Sequence, residues 1–207
     1  GFREGSTEYD EAMAAYNTAV AAARLRQWRN RAVSDGYEPG STFKLITLAS
    51  ALEEQAIGLD SSFYCGGSLR VADYPRPIKC WKTAGHGSQD LTHTLMNSCN
   101  VAMMNIAFQT GTEKFYEYFK AFGLTEKTGI DLNGEASGLF FEPFGVVDLA
   151  VASFGQRFKV TPIQMITMVS AIVDDGKLKT PHVVKEILNP DGTVRETIGT
   201  SVVRQVI

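Results

Sequence analysis

Apolar positions recur at helical spacing along most of this chain. In Ser41-Thr42-Phe43-Lys44-Leu45-Ile46-Thr47-Leu48-Ala49-Ser50-Ala51-Leu52, the residues Leu45, Leu48, Ala49 and Leu52 share one helical face, and no breaker follows before Gly58. Pro39 and Gly40 suit a turn, so the spacing predicts a helix that begins near Ser41. The Ala-rich run 11–25 predicts a second helix, started by Thr7 or Asp10. Others are predicted over 91–109, over 113–122 with Gly123 as the stop, and over 148–154 ending at Gly155. Thr161-Pro162-Ile163-Gln164 offers a capping threonine, proline at the first helical position and a glutamine to complete a capping box, opening a helix expected to end at Gly176.

Beyond that helix the period changes. Residues 183–188 and 193–198 flank Asn189-Pro190-Asp191-Gly192 and predict a β-hairpin. A lone hairpin is marginal, so it is expected to join a sheet, and the chain is read as a piece of a larger domain. Residues 58–90 show neither period; glycines, Pro75, Pro77, Cys65 and Cys80 interrupt them, and they are expected to be irregular.

Composition narrows the function classes. A chain of 207 residues, 44% hydrophobic and 21% charged, can bury the core of one globular domain. Its net charge of −3, with dispersed Lys and Arg, gives no basic stripe for nucleic acid. Arg24, Arg26, Arg29 and Arg31 read as a solvated surface, and no apolar run approaches the roughly 18 residues of a membrane span.

The candidate chemistry begins at Ser41 and Lys44. Three residues apart at a helix start, they lie on one face, within reach of each other. A serine needs a base at neutral pH, and a lysine whose ammonium is disfavoured by burial can be one. The free N–H groups of the helix start could also steady an oxyanion. Taken alone, S-x-x-K is more often a capping serine followed by a solvated lysine. Ser98 and Asn100, in Met96-Asn97-Ser98-Cys99-Asn100-Val101, add a second hydroxyl able to relay a proton and an amide suited to a peptide backbone.

Together with Trp28-Arg29-Asn30-Arg31-Ala32-Val33, Tyr37-Glu38-Pro39-Gly40, Gly85-His86-Gly87, Gly155-Gln156 and Thr161-Pro162-Ile163-Gln164, these motifs resemble the penicillin-binding proteins, in particular the transpeptidase domain of the monofunctional class B enzymes. The resemblance covers nearly the whole chain, 1–207. It implies an α+β fold of the serine β-lactamase/transpeptidase type, a helical subdomain plus a central antiparallel sheet, present here as a partial domain dominated by helices. It further implies that Ser41 attacks a D-Ala-D-Ala stem peptide of peptidoglycan, that Lys44 is the base, that Ser98 passes a proton to the leaving amine, and that Asn100 holds the peptide amide. β-Lactam antibiotics would acylate Ser41 by the same route, with no cofactor for catalysis. Cell-wall synthesis proteins of the membrane are the expected partners, at the extracytoplasmic face, with an N-terminal anchor outside this chain. A D,D-carboxypeptidase, a β-lactam-hydrolysing or sensing relative, and a non-catalytic scaffold are the alternatives.

The family's third motif, Lys-Thr-Gly on a strand of the cleft, is expected beyond Ile207. Lys127-Thr128-Gly129 matches in letters but follows a predicted helix in a loop, and it is read as a decoy. A chain ending at Ile207 is therefore expected to acylate poorly.

Cys65, Cys80 and Cys99, the chain's three cysteines, stand with His86 as candidate ligands of a structural zinc, since thiolates and imidazole are its usual donors. The resemblance adds that some family members carry a metal in this loop. A Cys65–Cys80 disulfide and free buried cysteines remain open at this point.

Overall fold

The computed structural model of the chain describes residues 3–72, 74–140 and 144–207. The Ala-rich run forms α1 (Thr7–Trp28), capped by Ser6, whose hydroxyl accepts from the Tyr9 N–H. Its apolar residues lie all round the helix and none is buried. After the short α2 (Arg31–Ser34), a 3-10 turn (Gly40–Phe43) runs directly into α3 (Lys44–Glu53). The predicted start at Ser41 is right in position, but the first turn is tighter than an α-helix and Ser41 lies inside it rather than capping it.

The segment predicted to be irregular contains two narrow antiparallel ribbons. β1 (Ser62–Cys65) pairs with β4 (Gly87–Asp90), placing Cys65 opposite Gly87, and β2 (Ser68–Leu69) pairs with β3 (Ile78–Lys79). Two glycines allow this fold-back: a Cβ on Gly67 would stand 2.0 Å from the Thr83 carbonyl oxygen, and one on Gly85 2.3 Å from that of Cys65.

The helix predicted over 91–109 is two helices. α4 (Leu91–Met96) stops, and α5 (Asn100–Thr110) starts after Ser98, whose φ of 48° lies in the left-handed region. α6 (Thr112–Ala121), α7 (Val146–Ala152) and α8 (Pro162–Val173) follow. α8 has the predicted capping box, with Gln164 accepting from the Thr161 N–H at 2.9 Å, though it ends at Val173 rather than at Gly176. β5 (Lys177–Lys179) pairs with β8 (Val202–Gln205), and β6 (Glu186–Leu188) with β7 (Val194–Thr197) in the predicted hairpin. Among the described residues helices dominate, and the strands form four two-stranded antiparallel sheets. No helix among them is long and apolar enough to cross a membrane.

α5 is the most enclosed part of this packing, with Val101, Ala102, Met103, Met104, Ile106, Ala107 and Thr110 buried and Gln109 exposed. Its Ala107 joins an aromatic cluster in which Phe43 meets Phe158 edge-on at 4.8 Å and Phe119 at 6.2 Å. Val101, Ala102, Met103, Met104 and Ile106 join a second cluster with Phe63, Val71, Cys65, Cys80 and Cys99. Burying each large side chain contributes about 1.5–3 kcal/mol, so the fully buried Phe43 anchors the turn that carries Ser41.

Candidate active site

Phe43 and Lys44 are adjacent and both buried, one into the core and the other into the space between α3 and α5. Lys44 is 1% exposed. Its ammonium donates to the Ser98 carbonyl at 2.6 Å, to Ser98 Oγ at 2.9 Å and to Asn100 Oδ1 at 2.7 Å, which satisfies all three of its donors. Ser98 Oγ in turn donates to Ser41 Oγ at 2.9 Å. The four residues singled out by the two motifs therefore converge. The expected direct reach of Lys44 to Ser41 is replaced by a path through Ser98, because the tight turn leaves Ser41 exposed while Lys44 points inward.

Burial lowers the Lys44 amine to a pKa of about 8, against an opposing pull from the Cys80 and Cys99 sulfurs. At neutral pH a useful fraction is then the free base, the state in which an amine can accept a proton. The left-handed Ser98 lets one residue present both its carbonyl and its hydroxyl to Lys44, at a backbone cost of about 1–3 kcal/mol that the surroundings must offset. The other wall is set by backbone contact. The Gly40 N–H donates to the Gly155 carbonyl at 2.8 Å, and a Cβ on Gly155, at φ +79°, would fall 2.0 Å from the Gly40 oxygen. Only glycine lets α7 come this close to the Ser41 turn.

Cys65, Cys80, His86 and Cys99 also converge, with all their ligand atoms within 4.8 Å of one another. The three cysteines are free thiols, buried, and not joined by the alternative disulfide. Tetrahedral zinc–sulfur bonds of about 2.3 Å set donors about 3.8 Å apart, Cys80 Sγ and His86 Nδ1 stand at 3.7 Å, and these residue types suit that ion. Burial would raise the Cys80 thiol, but the backbone N–H groups of Lys82, Asn100 and Val101 directed at its sulfur carry it below the ordinary value. Cys99, buried, is pushed up to about 11, and its sulfur caps α5 by accepting the Ala102 N–H. His86 is held toward its neutral form by burial and by Lys82 and Lys44, and its Nε2 is buried with no partner. The donor set fits a structural zinc.

The Lys127-Thr128-Gly129 triplet is engaged by Glu135. Glu135 accepts from the Thr128 N–H at 2.7 Å, the Thr128 hydroxyl at 2.5 Å and the Gly129 N–H at 3.1 Å. Lys127 and Thr128 line a pocket with Gln164, Lys179 and Arg204 that contains neither Ser41 nor Lys44. Sequence reading missed Asn97, whose carbonyl accepts the Trp81 indole N–H at 3.0 Å and whose side-chain amide donates to Gln89 Oε1 at 2.8 Å. The signal available was a tryptophan next to Cys80 in an otherwise polar loop.

Residues 4–206 match the penicillin binding protein transpeptidase domain. Stage V sporulation protein D of Bacillus subtilis is 47% identical over 165 residues, covering 78% of this chain and 25% of that protein. The peptidoglycan D,D-transpeptidase MrdA of Escherichia coli is 30% identical over 74% of this chain and 26% of its own length. Penicillin-binding protein 3 of Mycobacterium tuberculosis, solved in complex with aztreonam, superposes with a TM-score of 0.77 at 27% identity, over 86% of this chain and 40% of that one. The chain thus spans about a quarter of the length of the curated relatives it matches.

Proposed function

The chain belongs to the penicillin-binding protein transpeptidase family, and from that premise we propose that it carries the nucleophile and the base of a peptidoglycan D,D-transpeptidase. The observation that carries this reading is the unbroken hydrogen-bond path from Ser41 through Ser98 to a buried amine of pKa about 8. Ser41 Oγ attacks the carbonyl of the penultimate D-Ala of a D-Ala-D-Ala stem peptide, and its proton passes through Ser98 Oγ to neutral Lys44. As the amide C–N bond breaks, the proton returns through Ser98 to the nitrogen of the departing D-Ala, leaving an ester on Ser41. The amine of a second stem peptide then attacks that ester, forms the cross-linking amide and frees Ser41. Asn100, with its carbonyl oxygen on Lys44, keeps its NH₂ for the peptide carbonyl. In a β-lactam the broken amide nitrogen stays tethered to the acyl group, so the ester persists. None of these steps draws on a cofactor.

Cys65, Cys80, His86 and Cys99 would hold a zinc that orders the loop 62–90 and ties it to the helix carrying Asn100. We place the reaction at the extracytoplasmic face of the membrane, where peptidoglycan lies, alongside other cell-wall synthesis proteins. Product analysis of full-length protein with a D-Ala-D-Ala stem peptide, with and without an acceptor amine, tests the reading. Release of D-Ala with cross-linked product in the presence of the acceptor is expected. Hydrolysis alone, whatever the acceptor, would mean a carboxypeptidase instead.

A further inference from the structure

Ser98 can serve the path between Lys44 and Ser41 only while its backbone stays left-handed, and a serine does not hold that conformation unaided. The rotation in question, φ, is measured against the peptide plane that contains the Asn97 carbonyl. That carbonyl is held from outside. The Trp81 indole N–H donates to it at 3.0 Å, and the Asn97 side chain is fixed by its bond to Gln89 at 2.8 Å. Trp81 is 65% exposed, so burial is not what orders it; it is placed by that hydrogen bond and by an edge-on contact with His86 at 5.3 Å between ring centroids. Gln89 is 5% exposed on β4, opposite Phe63, and its Nε2 lies buried on the side of the Cys99 sulfur. Both side chains thus run from the loop that carries His86 and Cys80 to the single residue preceding Ser98.

We propose that Trp81 and Gln89 are positioning residues that clamp Asn97 and thereby lock Ser98 in the backbone conformation that joins Lys44 to Ser41. The proposal rests on the acyl-transfer reading of the site. It makes the loop 62–90 part of the reaction geometry without placing any of its residues on the reacting atoms.

The test separates the donor from the ring. In full-length protein, Trp81 is replaced by benzothienylalanine, which keeps the bicyclic shape and puts sulfur where the N–H was. Trp81→Phe serves as a second variant. Stopped-flow acylation with a fluorescent penicillin gives the affinity of the initial complex and the rate constant of the covalent step separately. Loss of one hydrogen bond to the turn should lower the covalent rate constant about tenfold, with the initial affinity within about twofold and the thermal unfolding midpoint unchanged. A covalent rate equal to the parent's overturns the proposal. So does a loss confined to the initial affinity, which would make the ring a direct substrate contact, or a loss that only follows the unfolded fraction. Failure of the unsubstituted protein to acylate would instead overturn the acyl-transfer reading, and this proposal with it.

Discussion

The α3–α5 pair and the loop 62–90 meet at the same serine, yet they are held by different forces. Lys44 and Asn100 sit on helices whose residues pack into two apolar clusters, so the backbones that carry their side chains are fixed by close packing. The loop has strands of two to four residues and few buried apolar side chains, and where the core of a ribbon would be, its Cys65, Cys80 and His86 meet Cys99 from the start of α5. Positions fixed by packing are present as soon as the helices dock. Positions fixed by ligation depend on what binds the ligands. On the proposed reading Lys44 and Asn100 stand on the first kind of support and the residues that steady Ser98 on the second, so damage to the two regions should differ in size and in kind.

Lys44→Ala strikes the packed side, and it removes the proposed base while leaving the hydroxyl of Ser98 and the amide of Asn100 without their shared partner. Acylation by a fluorescent penicillin should slow by about 10²–10⁴-fold in rapid-mixing experiments. A normal rate would take Lys44 out of the mechanism.

Treating full-length protein with a chelator strikes the other side. Metal analysis should first find one zinc per chain, and thiol titration after denaturation should find three free thiols. Chelation should then open the loop 62–90 to protease while acylation falls by a smaller factor, on the order of 10–100-fold, as expected when groups are displaced rather than removed. Absence of zinc with one free thiol would mean the disulfide instead.

A change of pH probes the packed side more gently. Lys44 must be neutral to accept a proton, so with its pKa depressed to about 8 the acylation rate should climb as pH rises and level off above that value. Between pH 7 and pH 9 the neutral fraction, and the rate with it, should grow about tenfold. A rate independent of pH over this interval would show that the amine titrates elsewhere. The smallest effect is expected from Thr128→Val, because that hydroxyl is engaged by Glu135, away from Ser41. Acylation should stay within about twofold of the parent, as for other substitutions remote from a site; a large loss would make Lys127-Thr128-Gly129 part of the cleft.

The same contrast explains what could be read in the sequence. Leu45, Leu48 and Leu52 repeat at helical spacing, and Thr161-Pro162-Ile163-Gln164 carries its own start signal, so α3 and α8 were legible to within a turn. Ser41, Lys44, Ser98 and Asn100 were legible as two motifs, but the order of contact between them was not. It depends on the 3-10 geometry of Gly40–Phe43 and on the left-handed Ser98, and neither leaves a periodic trace. That residue also split one predicted helix into α4 and α5. β1 to β4 are too short to show alternation, and their glycines serve close backbone approach rather than a turn that letters reveal. Asn97, Trp81 and Gln89 act through one carbonyl and one amide whose meeting is purely tertiary.

The most direct test of the central claim is the location of the covalent adduct. Full-length protein is treated with benzylpenicillin, digested and sequenced by mass spectrometry, beside a Ser41→Ala variant shown to be folded. One acyl group per chain on the peptide containing Ser41, and none in the variant, is the result predicted here. An adduct on Ser98 or any other residue, or full labelling of the Ser41→Ala protein, would contradict it.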